Sequence, residues 1–111
     1  MATLDAEVKS KALAATKILS RLGTIRAAYV FGSRVEGGAD QWSDIDLAAF
    51  VEGVESWDIQ RRAKAMALVM KEAGYDVETH LFPASKLSHP EGGGFAEYIL
   101  QHGVCILRES S

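Results

Sequence analysis

The first half of the chain contains a glycine–serine pair and two acids whose types and spacing could do chemistry. Gly32 and Ser33 follow an apolar, aromatic run, and Asp44 and Asp46 begin a second such run. A strand that ends in glycine and serine leaves backbone N–H groups and a hydroxyl open to a phosphate. Acids that alternate on a strand point to one face, and their mutual repulsion is relieved by a raised pKa, a basic partner or a divalent cation. Because Mg²⁺ prefers oxygen ligands, the pattern predicts a site for a triphosphate and Mg²⁺.

Each half of this pattern also has a purely structural interpretation. An isolated Asp-x-Asp is commonly a solvated strand entrance or an Asx turn, and Gly-Ser is commonly a turn. The functional interpretation gains weight because the two features follow consecutive predicted strands and so come within reach of each other. Ser33 and Glu36 also have the spacing of a capping box, which predicts a helix that starts at Ser33. Arg34 would then either contact the triphosphate or face solvent.

A site that holds two metal ions about 4 Å apart for displacement at phosphorus needs a third acid. The third predicted strand offers Asp76, Glu78 and His80 at alternating positions, which places them on one face. Any of the three could complete the site; we expect Glu78 to be the third metal ligand because it lies in the middle of the strand, and Asp76 and His80 are the alternatives. The three histidines, His80, His89 and His102, lack a mutual spacing for zinc, so each is expected to be structural or exposed.

The elements that would position these residues follow from apolar periodicity. Apolar residues recur every three or four positions in two long segments, whereas short apolar or alternating runs indicate strands. Ser56 is the predicted N-cap of the second long helix. The predicted helices are 4–22, 56–73 and 95–102, and the predicted strands are 27–31, 44–51, 76–82 and 104–107, the last of them at a sheet edge. This order predicts an α/β fold.

Composition limits the functional classes. The 111 residues are the length of one domain, which predicts a single domain over 1–111. A net charge of −3 argues against binding to long nucleic acid. No apolar run is long enough for a membrane helix and the start lacks the order of a signal peptide, so a cytoplasmic protein is expected. The single cysteine, Cys105, excludes an internal disulfide and is expected to be a buried thiol. Whether the chain forms a homo-oligomer is left open.

The motif residues resemble a known family. Gly32-Ser33, ten intervening residues and then Asp44-Ile45-Asp46-Leu47 are similar to the signature of the DNA polymerase β-like nucleotidyltransferase superfamily, specifically its minimal nucleotidyltransferase branch. The leading helix and the closing segment 103–107 resemble that branch as well. The resemblance implies a nucleotidyltransferase fold, with a mixed sheet of about four strands flanked by helices. It also implies that Gly32 and Ser33 engage ATP and that Asp44, Asp46 and Glu78 bind catalytic Mg²⁺.

The resemblance further implies a partner. Members of the minimal branch are commonly encoded beside a helical HEPN-domain toxin, and the nucleotidyltransferase acts as antitoxin by adenylylating a tyrosine of that toxin. Larger relatives add a helical domain that shapes the acceptor pocket, which a chain of this length has no room to include. Two alternatives remain open: a non-catalytic binding module of the same fold that neutralises its partner by contact, and transfer of a nucleotide to a small molecule.

Overall fold

The computed structural model describes residues 4–36, 44–89 and 94–109, with the backbone but not the side chains of Ser33 and Glu36. The regular elements alternate as the sequence predicts. The helices are α1 (Ala6–Ser20), α2 (Ser33–Glu36), α3 (Ile59–Glu72) and α4 (Phe95–His102), the strands are β1 (Ile25–Phe31), β2 (Ile45–Val51), β3 (Val77–Pro83) and β4 (Val104–Arg108), and two 3₁₀ turns cover Val54–Ser56 and Ala84–Leu87.

One four-stranded sheet in the order β3-β2-β1-β4 organises the molecule. β1 pairs antiparallel with both β2 and β4, whereas β2 and β3 are parallel. A parallel pair needs a crossover, which α3 provides between β2 and β3. The mixed sheet flanked by helices confirms the predicted fold class, and β4 lies at a sheet edge as predicted.

The two faces of the sheet have separate cores. On the face that we call the α1–α3 face, alternate strand residues such as Leu47 and Val51 pack with Leu19 of α1 and Val69 of α3, all at most 1% exposed. On the opposite face, the α4 face, the aromatic rings of Tyr29, Phe31 and Phe50 pack with Ala96 and Ile99 of α4. Both faces are covered because neighbouring residues of a strand point to opposite sides.

Helix boundaries follow from side chains that satisfy free backbone N–H groups. The Asp5 carboxylate accepts a hydrogen bond from the backbone N–H of Glu7 and begins α1. The N-cap of α3 is Asp58, whose carboxylate accepts from the N–H of Arg61 at 2.8 Å. The prediction of Ser56 as that cap is therefore wrong. Serine and aspartate cap equally well, and Ser56 instead closes a 3₁₀ turn through its hydroxyl, which donates to the Gly53 carbonyl.

Two burial predictions are also wrong. Cys105 is exposed rather than buried, because β4 lies at the sheet edge and this residue faces outward. Ile59, which the periodicity assigns to the apolar face of α3, is 82% exposed because it is the first residue of the helix. Among the described residues, no helix is both long enough and apolar enough to cross a bilayer.

Candidate active site

The register of the sheet brings an acid of β2 next to an acid and a histidine of β3. In the parallel pair, Asp46 lies opposite Glu78 and Ala48 lies opposite His80, so that Asp46, Glu78 and His80 all belong to the α4 face. The Nε2 atom of His80 is 3.3 Å from Asp46 Oδ1 and 3.9 Å from Glu78 Oε1. One ligand atom from each of the three side chains lies within 4.8 Å of the other two. We call these three residues the Asp–Glu–His cluster.

Gly32 lies directly against this cluster. Phe31 pairs with Asp46 across β1 and β2, so the residue after Phe31 meets the Asp46 side chain. A Cβ atom added to Gly32 would lie 2.5 Å from Asp46 Oδ2, and the backbone of Gly32 has a φ of 86°. Only glycine adopts that conformation without strain and leaves room for the carboxylate. The glycine and the second aspartate of the motif are therefore in contact.

A short helix follows this glycine. α2 starts at Ser33, as the capping-box spacing predicts, and the N–H of Val35 donates to the Gly32 carbonyl at 3.0 Å. The predicted hydroxyl contact of Ser33 and the capping role of Glu36 lie outside the described side chains. Arg34 is half-buried and its charge acts on Asp76. Arg34 as a triphosphate contact stays a prediction.

Asp44 and Asp46 occupy different environments. β2 starts at Ile45, so Asp44 precedes the strand and is exposed, which corrects the predicted start of this strand on two acids. The side chain of Asp46 is 25% exposed and is held between Gly32 and His80. Among the described residues, Asp44 does not belong to the Asp–Glu–His cluster. Asp44 as a metal ligand stays a prediction.

Asp76, the alternative third acid, is engaged elsewhere. It precedes β3, and its carboxylate accepts a hydrogen bond of 2.9 Å from Lys11 of α1, on the other side of the sheet from the cluster. That hydrogen bond holds the pKa of the Asp76 carboxyl below its ordinary value of 3.8. The expectation that Asp76 shares one face with Glu78 and His80 is wrong, because the strand starts after it. Of the two acids, the structure places Glu78 beside Asp46.

His80, one of the three residues on the third predicted strand that the sequence offers to complete the site, lies beside both acids. Its ring is fixed by edge-to-face contacts with Phe31, at 5.0 Å between ring centroids, and with Phe95, at 5.9 Å. These contacts orient Nε2 toward the two carboxylates. The alternation of Glu78 and His80 on one strand predicts that both face the same side of the sheet, and the register of β3 confirms it.

The cluster fits a divalent cation in its chemistry and its spacing. Ligand atoms around an octahedral ion of the Mg²⁺ class are about 3.0 Å apart when adjacent and about 4.2 Å apart when opposite, given bonds of about 2.1 Å. The distance of 3.3 Å from His80 Nε2 to Asp46 Oδ1, which is also a hydrogen-bond distance, is close to the adjacent separation, and the distance of 3.9 Å to Glu78 Oε1 is close to the opposite one. Asp46 and Glu78 carry carboxylate oxygens, the ligand type that such an ion prefers, and the close approach of Gly32 leaves the Asp46 carboxylate no side-chain neighbour on that side.

A mixed sheet that presents carboxylates from adjacent strands beside a strand–glycine–helix turn is the arrangement of a nucleotidyltransferase-like domain. The family model described as Polymerase beta, Nucleotidyltransferase matches residues 14–111, and the chain belongs to this family.

The fold also matches a known crystal structure. A Sulfolobus solfataricus protein that carries the provisional name nucleotidyltransferase superimposes with a TM-score of 0.54 at 14% sequence identity, over 96% of this chain and 91% of that one. At this identity the likeness shows a shared fold only. A comparison with curated proteins finds no match.

Proposed function

We propose that this protein is a divalent-metal-dependent nucleotidyltransferase that transfers AMP from ATP to a hydroxyl of a partner protein. The observation that carries the proposal is the convergence of Asp46 and Glu78 on one side of Gly32. Family membership supports the transferase class. The acceptor that we propose is a tyrosine of a helical HEPN-domain toxin, with this protein as the antitoxin, as the resemblance of the motif residues implies.

The residues divide the work of such a transfer. Asp46 and Glu78 would hold Mg²⁺, with Asp44 as a further ligand, and the bound cation would neutralise phosphate charge and stabilise the attacking and leaving oxygens. Gly32 and the turn into α2 leave backbone space for the triphosphate. Arg34, two residues after Gly32, would contribute positive charge to the space for the triphosphate.

The chemical step exchanges one P–O bond for another. The acceptor hydroxyl attacks the α-phosphorus of ATP, the bond from that phosphorus to the bridging oxygen breaks, and pyrophosphate leaves. The hydroxyl proton must pass to a base as the new bond forms. Glu78, whose side chain is 55% exposed, reaches the open side of the site, whereas Asp46 is enclosed by Gly32 and His80. Glu78 is therefore the better placed of the two acids to accept this proton.

The test is label transfer from ATP that is radioactive at the α-phosphate. Purified protein is incubated with Mg²⁺, the labelled ATP and a HEPN-domain protein of the proposed partner class, and label is expected on a tyrosine of that protein. Asp46→Asn should reduce transfer by about 100-fold or more because a metal ligand is lost, whereas Glu55→Gln, at an exposed acid of a 3₁₀ turn, should leave it unchanged.

Each alternative has its own outcome in the same assay. If the wild type binds and neutralises the partner without any transfer of label, the non-catalytic binding module replaces the transferase. If the label appears in small molecules rather than in protein, the acceptor class is wrong although the chemistry stands. Equal transfer by wild type and Asp46→Asn would remove the Asp46–Glu78 pair from the mechanism.

A further inference from the structure

The Asp–Glu–His cluster contains a nitrogen ligand that the carboxylate site predicted from the motif does not include. We infer that His80 is a direct ligand of the bound cation, so that the site selects Mn²⁺ over Mg²⁺. The inference rests on the proposed function, because it takes Asp46 and Glu78 as the ligands that hold the metal. The inference goes beyond the proposed function in two respects: it identifies His80 as the third protein ligand of the metal, and it names the cation that this ligand favours.

The geometry supports ligation by His80 rather than a purely structural role. Its Nε2 atom lies between the two acids, at 3.3 Å from Asp46 Oδ1 and 3.9 Å from Glu78 Oε1. The shorter distance is close to the separation of adjacent ligand atoms on an octahedral ion, about 3.0 Å, and the longer one is close to that of opposite ligand atoms, about 4.2 Å. The His80 side chain is 26% exposed beside two acids, so its ring nitrogen is not sealed in the apolar core of the α4 face.

The surroundings of His80 hold the ring in this orientation. Phe31 contacts the ring at an interplanar angle of 63°, and Phe95 contacts it at 90°. Both phenylalanine side chains belong to the α4 face, one at the end of β1 and the other at the start of α4. A metal ligand that is fixed before the metal arrives binds more tightly, because less side-chain entropy is lost on binding.

The nitrogen atom changes which cation the site prefers. Carboxylates and water suit Mg²⁺ and Mn²⁺ alike, whereas Mn²⁺, as a first-row transition cation, accepts an imidazole nitrogen more readily than Mg²⁺ does. Mg²⁺ binds reluctantly to nitrogen and usually keeps several waters, with one or two carboxylates from the protein. In a set of two carboxylates and one imidazole, the nitrogen ligand therefore stabilises bound Mn²⁺ far more than bound Mg²⁺.

The experiment measures the bond between manganese and nitrogen directly. Tag-free wild-type protein is loaded with Mn²⁺ and inorganic triphosphate, which contains no nitrogen, and pulsed electron paramagnetic resonance is used to look for hyperfine coupling to ¹⁴N of an imidazole. The coupling is expected in the wild type and in His102→Gln, a control at an exposed histidine whose ring packs on Tyr98. It should be absent from His80→Gln and from His80→Asp.

Affinities provide a second measurement. Mn²⁺ affinity is read from the loss of the free-ion signal, and Mg²⁺ affinity from competition with Mn²⁺. The ratio of Mn²⁺ to Mg²⁺ affinity should fall by about tenfold or more in His80→Gln. His80→Asp replaces the nitrogen with oxygen, so it should keep binding both ions while the ratio falls in the same way. Thermal unfolding of each variant without metal checks that the fold is retained.

The outcomes distinguish this inference from the proposed function. Mn²⁺ that binds in an Asp46-dependent way without any ¹⁴N coupling from His80 would overturn the inference and leave the transferase intact. A ratio of Mn²⁺ to Mg²⁺ affinity that is unchanged in His80→Asp would also overturn the inference and leave the transferase intact. Absence of Asp46-dependent binding of either ion, together with absence of label transfer from ATP, would instead remove the metal site itself and the proposed function with it.

Discussion

The two faces of the sheet use the same strands for different purposes. On β3, Val77 and Thr79 point to the α1–α3 face and are 2% and 3% exposed, whereas the side chains of Glu78 and His80, on the α4 face, are 55% and 26% exposed. The alternation on β2 is similar, with Asp46 between the buried Ile45 and Leu47. Because consecutive strand residues diverge to opposite sides, neighbours in sequence belong to different parts of the molecule.

This difference teaches where stability and chemistry are located. The α1–α3 face is closed by two long helices and contains a continuous apolar core. The α4 face has an aromatic core under α4 but ends, at the Phe31 edge, in charged and half-exposed side chains. We therefore expect substitutions on the α1–α3 face to change the free energy of unfolding while activity is kept, and those at the Phe31 end of the α4 face to lower activity.

The largest expected effect comes from breaking the α1–α3 face. Leu19 of α1 is 1% exposed and packs in the core of that face. Leu19→Ala removes three buried carbon atoms and leaves a cavity, which should lower the free energy of unfolding by about 3 kcal/mol. Urea unfolding measures the loss. Below the unfolding transition, the rate of label transfer from ATP should be unchanged, and a specific loss of activity in the folded variant would contradict the separation of the faces.

Gly32→Ala tests the end of the α4 face at which the Asp–Glu–His cluster lies. The new methyl group would meet Asp46 Oδ2, and the φ of 86° strains any residue with a Cβ atom. We expect a loss of about 1–2 kcal/mol in stability from the backbone conformation. Label transfer should fall by tenfold or more, because a catalytic group that is displaced by about 1 Å loses its alignment.

A second glycine gives a matched control for this substitution. Gly53 has a φ of 71°, and an added Cβ atom would meet nothing within 4 Å. Gly53→Ala therefore introduces similar backbone strain without the contact to Asp46. It should lose a similar amount of stability and keep full activity. If both alanine variants lost activity to the same degree, the contact between Gly32 and Asp46 would have no special role.

Much of this organisation can be predicted from the sequence because it depends on local pattern. The alternation of helical and extended segments gives the element order, and the four strands are all found within a few residues of their predicted ends. The residues at which the helices begin depend on which of several suitable residues acts as the N-cap. Ser56 and Asp58 are both good caps, and only the fold around the 3₁₀ turn decides between them.

The composition of the site is less accessible to sequence reasoning because it depends on register and on distant contacts. That Glu78 lies beside Asp46, with His80 one step further, follows from the parallel pairing of β2 with β3, which no local pattern specifies. Asp76 is drawn away by Lys11, a residue 65 positions earlier in the chain. Both outcomes required the tertiary structure.

Thr79→Val sharpens the comparison within a single strand. The Thr79 hydroxyl is buried on the α1–α3 face and finds no hydrogen-bond partner among the described residues. Valine keeps the branched shape and removes a polar atom whose burial without a partner is costly, so the free energy of unfolding should rise by about 1 kcal/mol. Calorimetry measures the shift. Activity should not change, although His80 is the next residue; a loss of stability would mean that the hydroxyl is satisfied.

The smallest expected effect is at Asp76, which joins β3 to α1 at the edge of the α1–α3 face. Lys11 lowers the pKa of the Asp76 carboxyl below 3.8, and Asp76 in turn raises the pKa of Lys11 above 10.5. An acid whose pKa is lowered by folding stabilises the fold at any pH above its pKa in the unfolded chain. This stabilisation is lost as the pH falls through the lower pKa of the folded protein. A lysine whose pKa is raised by folding stabilises the fold below pH 10.5, and this stabilisation is lost as the pH rises through the pKa of the folded protein.

Asp76→Asn should therefore lower the melting temperature slightly and by a constant amount between about pH 5 and about pH 9. The difference from wild type should close below pH 3.8, where the wild-type carboxyl becomes protonated as well. In a Lys11→Met background the same substitution should have little effect, because the ion pair is already absent. Label transfer should be retained throughout, since this acid faces α1. If Asp76→Asn instead abolished transfer with the melting temperature unchanged, Asp76 would replace Glu78 as the third acid.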